Sequence, residues 1–159
     1  MFWGAIRYGV ISELVLCDGD PESKRGGVTA RIYKEILEEE LPKLMEPHII
    51  FMQDNAPIHT SRLLREWLAE QRFQILDWPP YSPDLNPIEN LWALLKDEIL
   101  KRYPDLATMP KNNQALQKLC EAATTVWLDF GLDLVNKLID SMPDRVEAVR
   151  KAKGWYTKY

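Results

Sequence analysis

The sequence predicts an α/β fold, because the spacing of its apolar residues changes repeatedly along the 159-residue chain. Residues 1–8 and 10–17 are rich in β-branched, aromatic and aliphatic side chains, and Gly9 between them favours a hairpin. Helix-like and strand-like segments then alternate up to residue 76, and helical spacing dominates beyond it. This order predicts a mixed sheet with flanking helices and a helical C-terminus.

The elements after the hairpin follow from local patterns. Apolar residues recur at helical spacing from Thr29, and Pro42 should end or kink that helix. The apolar run 48–53 lacks alternation, which is typical of a strand covered on both faces in a parallel sheet. Residues 63–68 return to helical spacing, and residues 73–76 form a second short apolar run.

The second half of the chain has the pattern of a helical region. One apolar stripe runs from Pro87 to Leu100, and further stripes follow the loop 103–111. Gly131 and the pair Met142 and Pro143 mark helix boundaries. Because the chain has no internal repeat and an ordinary length for one core, we expect residues 1–159 to form a single domain.

Composition excludes several classes of protein. The two cysteines, Cys17 and Cys120, and the two histidines, His48 and His59, lack the spacing of a zinc site or a disulfide framework. No apolar run approaches the roughly 20 residues that span a bilayer, so we expect no membrane segment and an intracellular protein that is not secreted. A net charge of −4 argues against coating nucleic acid through bulk charge, although a local basic patch remains compatible with it.

Asp54 directly follows the apolar run 48–53. Ligands of open α/β sheets gather beyond the carboxyl ends of the strands, so an acid at this place faces a candidate site. The structural alternative is an Asx turn, in which Asp54 or Asn55 caps the loop before the next helix.

Glu89 lies at the start of the stripe that runs from Pro87. Asn86 as N-cap, Pro87 at the first helical position and Glu89 two residues later would make a capping box, which is the structural alternative here. Glu89 also falls beside the apolar face of Leu91 and Trp92, so its carboxylate is expected at the edge of the core, where it could reach a metal ion.

The two acidic segments together carry a longer motif. Residues 53–59 read Gln-Asp-Asn-x-Pro-x-His, and residues 78–92 read Trp-Pro-x-x-Ser-Pro-Asp-Leu-Asn-Pro-Ile-Glu-Asn-Leu-Trp. With thirty-four residues between Asp54 and Glu89, this pattern resembles the catalytic domain of Tc/mariner-superfamily DDE transposases, in the Tc-one-like branch. The similarity extends to residues 1–6, 138–143 and 152–159, and so covers nearly the whole chain.

The resemblance implies a ribonuclease H-like fold in which two Asp and one Glu hold two divalent metal ions, usually Mg²⁺ and otherwise Mn²⁺. It implies phosphodiester hydrolysis followed by strand transfer, with Asp54 and Glu89 as catalytic metal ligands. Hard oxygen ligands suit Mg²⁺, and a pair of ions can activate the attacking oxygen and stabilise the leaving one. Transposon-end and target DNA are the implied partners, with a homodimer in the full-length family and, in a eukaryote, a nuclear location.

The chain departs from the family pattern at one place. The first catalytic Asp of the family lies on a strand before the segment that begins here at Met1, and Asp18 and Asp20 belong to a turn. We therefore expect a catalytic domain that is incomplete at its N-terminus, also lacks the helix-turn-helix region, and is inactive alone. The alternative is a non-catalytic nucleic-acid-binding or protein-interaction remnant. Without the first strand, the sheet is expected to be strained or split, and the chain to express poorly or to aggregate.

Other residues have plain structural interpretations. The motif asparagines and His59 are expected to form loop or cap hydrogen bonds, and the motif-region tryptophans to lie in the core. The basic tail is expected to be a solvated surface helix, with phosphate contacts as the alternative. A cluster of glutamates is expected to be a solvated helix face. These residues are Asn55, Asn86 and Asn90; Trp78, Trp92 and Trp127; Arg145, Arg150, Lys151, Lys153 and Lys158; and Glu35, Glu38, Glu39 and Glu40.

Overall fold

The computed structural model describes residues 1–24 and 26–159. Its helices and strands alternate in the predicted order and become entirely helical toward the C-terminus. In chain order they are β1 (Phe2–Trp3), β2 (Ile6–Arg7), β3 (Val10–Ile11), β4 (Val15–Leu16), α1 (Ala30–Leu44), β5 (Ile50–Phe51), α2 (Arg62–Gln71), β6 (Gln74–Ile75), α3 (Ile88–Arg102), α4 (Asn113–Leu128), α5 (Leu132–Asp140) and α6 (Met142–Lys151). Short 3-10 helices cover Pro83–Leu85 and Pro104–Ala107.

The described strands form three sheets of two strands each. The pairs β1–β4 and β2–β3 are antiparallel, as the predicted hairpin requires, and β5–β6 is parallel. Within the hairpin, the turn at Gly9 has a φ of +73°, a conformation that glycine adopts without steric penalty. The predicted mixed sheet is thus divided into separate pairs.

The chain divides into two compact units, the first made of residues 1–3 and 15–82. Its core lies between α1 and α2, where Leu37 and Leu41 on one helix and Leu64 and Leu68 on the other are almost fully buried. Both helices begin where the sequence provides a cap, since the hydroxyl of Thr29 accepts from Ile32 N and that of Ser61 from Leu64 N. Pro42 lies in the last turn of α1, which ends two residues later, close to the predicted boundary.

Two expectations for this unit are wrong. Residues 48–53 do not form a strand covered on both faces, because only Ile50 and Phe51 pair and Ile50 is 52% exposed. The sequence run is apolar, but its only strand partner among the described residues is β6. Glu40 is not part of a solvated face, since it is buried and accepts a hydrogen bond from Lys43 Nζ at 2.7 Å.

Asp20 belongs to a loop of the first unit, as the turn interpretation requires. Its Oδ1 accepts hydrogen bonds from Glu22 N at 2.9 Å and from Arg31, and its Oδ2 accepts one from Thr29 Oγ1 at 2.6 Å. The Thr29 hydroxyl, followed by the Arg31 guanidinium, lowers the pKa of Asp20 to about 2. Both carboxylate oxygens therefore hold the start of α1, and Asp20 is a structural residue.

The second unit consists of residues 4–14 and 83–159. Its core contains Trp127, which is fully buried, donates from Nε1 to the carbonyl of Ser12 at 2.8 Å and stacks on Trp92 with 4.9 Å between ring centroids. Gly4 lies against this pair, because a Cβ there would be 2.8 Å from the Trp127 ring. Trp127 is thus a core residue, as predicted. No helix in the described part of the chain is long and apolar enough to cross a membrane.

Candidate functional site

Asp54 lies in the loop that follows β5, at the carboxyl end of the strand, and its side chain is 55% exposed. The Oδ1 atom accepts a hydrogen bond from Ala56 N at 3.0 Å, which is the Asx turn considered as an alternative. The same oxygen is 2.6 Å from Nδ1 of His59, whose side chain is 18% exposed. Asp54 thus serves the loop with one oxygen and still presents its carboxylate to solvent.

The loops that follow β5 and β6 are joined by a hydrogen bond. Asn55 donates from Nδ2 to the carbonyl of Trp78 at 2.7 Å, and Trp78 is buried. The predicted loop role of Asn55 and the predicted core role of Trp78 are therefore confirmed. This bond fixes the loop that carries Asp54 at the carboxyl end of the parallel strand pair, where ligands of such sheets bind.

Tyr33, a residue of α1, contacts the loop that carries Asp54, and the sequence analysis did not single it out. It is buried, its hydroxyl donates to Gln53 Oε1 at 2.9 Å, and its ring centroid is 4.3 Å from that of His59. Burial raises the pKa of Tyr33 well above its ordinary value, so the phenol stays a neutral donor. Its position four residues before Leu37 on the buried face of α1 is the sequence feature that could have identified it.

Glu89 lies in the first turn of α3 and is exposed. An acid at this end of a helix is stabilised by the unpaired backbone N–H groups. Asn86 Oδ1 accepts a hydrogen bond from Ile88 N at 3.4 Å, and the N–H of Asn86 donates to the carbonyl of Pro83 at 3.0 Å. Asn86 is therefore the capping residue.

The sequence interpretation of Arg145, as part of a solvated basic tail, is wrong. It is 1% exposed, so it belongs neither to a solvated surface nor to a phosphate-binding tail. Its guanidinium donates to the carbonyl of Asp84 at 2.9 Å, to Asn90 Oδ1 at 2.6 Å and to Ser141 Oγ at 2.8 Å. Burial lowers the pKa of Arg145 from its usual value. This arginine fixes the segment around Glu89 against α6.

The C-terminal residues contact the same segment. Thr157 donates from Oγ1 to Asp84 Oδ2 at 2.9 Å, and the Tyr159 ring lies 4.8 Å from the Arg145 guanidinium carbon. The sequence match at residues 152–159 thus corresponds to a part of the second unit that packs on the acidic motif.

The donor chemistry of the two acids suits a hard divalent cation. Asp54 and Glu89 are both exposed carboxylates, and oxygen ligands are those that Mg²⁺ and Mn²⁺ prefer. Among residues 1–24 and 26–159, no group of three or more His, Cys, Asp or Glu side chains is arranged to hold a metal ion. Asp54 belongs to the first unit and Glu89 to the second, and their joint role in one metal site stays a prediction.

Comparisons with known proteins give consistent results. A family model described as DDE superfamily endonuclease matches residues 13–109. The Tc1 transposase of Caenorhabditis elegans is 42% identical over 110 residues, covering 69% of this chain and 37% of that protein. The Tcb2 transposase of Caenorhabditis briggsae is 36% identical over 132 residues, covering 80% of this chain and 45% of that protein. The chain therefore spans less than half the length of these relatives.

Solved structures show the fold. The crystal structure of the catalytic domain of Mos1 mariner transposase matches 99% of this chain and 82% of its own, with a TM-score of 0.63 and 20% identity. The mariner Mos1 paired end complex with Mg matches 93% of this chain and 42% of its own, with a TM-score of 0.68 and 23% identity. The predicted α/β, ribonuclease H-like fold is thus confirmed.

The motif resemblance and the comparisons agree on the family. The matched region, residues 13–109, contains both Asp54 and Glu89 and covers more than half of the chain. The chain belongs to the DDE superfamily endonucleases, and its relatives there are the transposases of the Tc/mariner group.

Proposed function

We propose that this chain is part of a transposase that cuts and joins DNA strands with the help of divalent metal ions, Mg²⁺ or Mn²⁺. The observation that carries the proposal is the position of Asp54, an exposed carboxylate at the carboxyl end of the parallel pair β5–β6, inside a motif shared with transposases. The curated relatives are named as transposases, and solved structures of Mos1 are described with Mn, Mg and a transposon end.

In this proposal, Asp54 and Glu89 are the metal ligands that the chain contributes. A bound divalent ion would activate the attacking oxygen and stabilise the leaving oxygen of a phosphodiester. The loop around Asp54 is held by the Asn55 hydrogen bond to Trp78, and the segment around Glu89 is held by Arg145 through Asn90. Both carboxylates are therefore carried by well-fixed backbone, which limits the reorganisation needed for metal binding.

The partners and location follow from the same proposal. Transposon-end and target DNA are the substrates, the full-length protein acts as a homodimer, and its place of action in a eukaryote is the nucleus. The solved Mos1 paired-end complexes, one of them with the left transposon end, and the Mos1 strand-transfer complex support the DNA partner.

We also propose that the 159-residue chain has no turnover by itself. The family uses three carboxylates, and the residues of this chain that match its motifs supply two, Asp54 and Glu89. With two carboxylates instead of three, at least one metal ion would lack a protein ligand, and only the phosphate groups of the DNA would hold it. Under this proposal the chain can bind metal weakly without cutting DNA.

The experiment is a Mn²⁺ titration of the chain, followed by paramagnetic broadening of its amide signals, together with a plasmid-nicking assay. At millimolar Mn²⁺ we expect the amide signals of residues 53–56 and 87–90 to broaden. Asp54→Ala should abolish the broadening at residues 53–56, and Glu89→Ala should abolish it at residues 87–90. We expect no nicking of the plasmid. Asp97→Ala is the matched control, since Asp97 is an exposed acid on the same helix as Glu89.

Two results would overturn parts of the proposal. Broadening that is unchanged in both Asp54→Ala and Glu89→Ala would contradict the metal role of these acids. Nicking above background that disappears in both Asp54→Ala and Glu89→Ala would show that the chain is an active nuclease alone. If the chain binds DNA without metal and shows neither Mn²⁺ broadening nor nicking, the alternative of a non-catalytic nucleic-acid-binding remnant is favoured.

A further inference from the structure

The two carboxylate oxygens of Asp54 have different surroundings. Oδ1 accepts from Ala56 N at 3.0 Å and lies 2.6 Å from His59 Nδ1. Oδ2 has no hydrogen-bond partner among residues 1–24 and 26–159, while the side chain as a whole is 55% exposed. One oxygen is thus held by the protein and the other is open to a ligand.

His59 determines which oxygen is held. A carboxylate oxygen only accepts hydrogen bonds, so Nδ1 carries the proton and donates it to Oδ1. The Ala56 N–H alone would restrain the position of Oδ1 from one side, and the imidazole adds a second donor from another residue of the loop. Two donors on one oxygen fix the side-chain torsions of Asp54 and leave Oδ2 directed away from them.

The imidazole is itself immobilised. Its side chain is 18% exposed, and its ring lies 4.3 Å from that of Tyr33, with 31° between the ring planes. Tyr33 is buried in α1 and bonded to Gln53, the residue directly before Asp54. Through Tyr33, helix α1 therefore contacts both His59 and the residue that precedes Asp54.

We propose that His59 is a positioning residue for the metal site, which fixes Asp54 as a ligand through Oδ2 alone. The metal part of this statement rests on the proposed function above. The geometric part, that His59 and Tyr33 hold one rotamer of Asp54, stands on the hydrogen bonds and the ring contact. Metal-ligating carboxylates are commonly held by such a second layer of hydrogen bonds.

The first test measures the rotamer of Asp54 without metal, through the three-bond couplings of its carboxylate carbon to the backbone N and C′. We expect the couplings of a single rotamer in the natural chain and in His59→Asn, whose Nδ2 keeps a donor at the same distance along the side chain. In His59→Phe, which keeps a ring but removes the donor, the couplings should become averaged.

The second test is the Mn²⁺ titration at residues 53–56. Loss of a group that orients a metal ligand lowers metal affinity by about 10- to 100-fold, so His59→Phe should need at least about tenfold more Mn²⁺ for the same broadening. His59→Asn should stay close to the natural chain. His48→Phe is the matched control, because the His48 side chain is 75% exposed and lies elsewhere in the first unit.

The outcomes separate this inference from the proposed function. Unchanged couplings and unchanged Mn²⁺ response in His59→Phe would overturn the positioning role. If Asp54→Ala leaves the broadening unchanged while His59→Phe averages the couplings, the metal role fails and the positioning role stands.

A third measurement covers the case in which His59→Phe does not fold. The imidazole ¹⁵N shifts of the natural chain should show a protonated Nδ1 at His59, and Asp54→Asn, a change at an exposed position, should shift that signal and leave His48 unchanged. The absence of both effects would refute the hydrogen bond on which the inference rests.

Discussion

The buried side chain of Arg145 donates a hydrogen bond of 2.6 Å to Asn90 Oδ1, which joins α6 to the first turn of α3, next to Glu89. The guanidinium also donates to the carbonyl of Asp84, so a single side chain holds both sides of the acidic motif. An arginine in the middle of a basic tail is therefore a buried structural residue.

We expect Arg145→Met to lower the free energy of unfolding by about 2–4 kcal/mol, because it leaves Asp84 O, Asn90 Oδ1 and Ser141 Oγ without their buried donor. Arg150→Met on the same helix is the control. Arg150 is exposed, and its ion-pair partner in the described part of the chain is Glu147, so its loss should change stability by no more than about 0.5 kcal/mol. Urea unfolding followed by circular dichroism measures both, and equal effects would contradict a structural role for Arg145.

Gly4 has no space for a side chain, since a Cβ would lie 2.8 Å from the Trp127 ring and 3.2 Å from that of Trp92. We expect Gly4→Ala to destabilise the second unit by about 1–3 kcal/mol, as overpacking of a core does. Gly27→Ala, where no atom lies within 4 Å of the added Cβ, is the control and should be close to neutral. Thermal unfolding distinguishes the two, and a neutral Gly4→Ala would show that the tryptophan pair can move aside.

Asp20 should make the chain less stable in acid. Its pKa is about 2 in the folded state against an ordinary 3.8, because the Thr29 hydroxyl and the Arg31 guanidinium favour its ionised form. The stabilisation is therefore fully present above about pH 5, where the carboxyl is ionised in both the folded and the unfolded chain, and is lost as the pH falls through about 4 toward 2.

Unfolding by urea at several pH values checks this. The stability difference between the natural chain and Asp20→Asn should be constant above about pH 5 and shrink between about pH 4 and 2. Asp18→Asn, the same substitution at an exposed neighbour, is the matched control. If the stability difference between the natural chain and Asp20→Asn does not depend on pH, the charge of Asp20 does not contribute to stability.

The sequence predicted the parts of this molecule that depend on neighbours along the chain. The hairpin around Gly9, the helix that begins after Thr29 and the boundary at Gly131 all appear as expected, because short-range hydrogen bonds and backbone preferences determine them. Asp54 and Glu89 were singled out because each lies within a short motif, residues 53–59 and 78–92, and their metal role stays a prediction.

The remaining features depend on residues that are distant in sequence. The role of Arg145 requires Asp84 and Asn90, more than fifty residues earlier, and the role of Tyr33 requires His59. Charge and periodicity alone favoured a solvated arginine, and helical spacing did not distinguish Tyr33 from any other core residue. The exposed β5 was missed for the same reason, since an apolar run does not indicate how many strands cover it.

The parallel pair β5–β6 exposes apolar side chains on one face, and we expect it to promote self-association. Ile50 is opposite Gln74 in the register, so Leu76, two residues further along, lies on the same face as Ile50, and these two are 52% and 43% exposed. A two-stranded sheet is marginally stable in water and gains from burial of such a face against another copy.

Light scattering after size-exclusion chromatography should therefore show an average mass that rises with concentration, and Ile50→Lys should reduce that rise. Leu63→Lys, which adds the same charge at a 42% exposed leucine on α2, should not. A natural chain that stays monomeric at all concentrations, or equal effects of both substitutions, would contradict an association through this sheet.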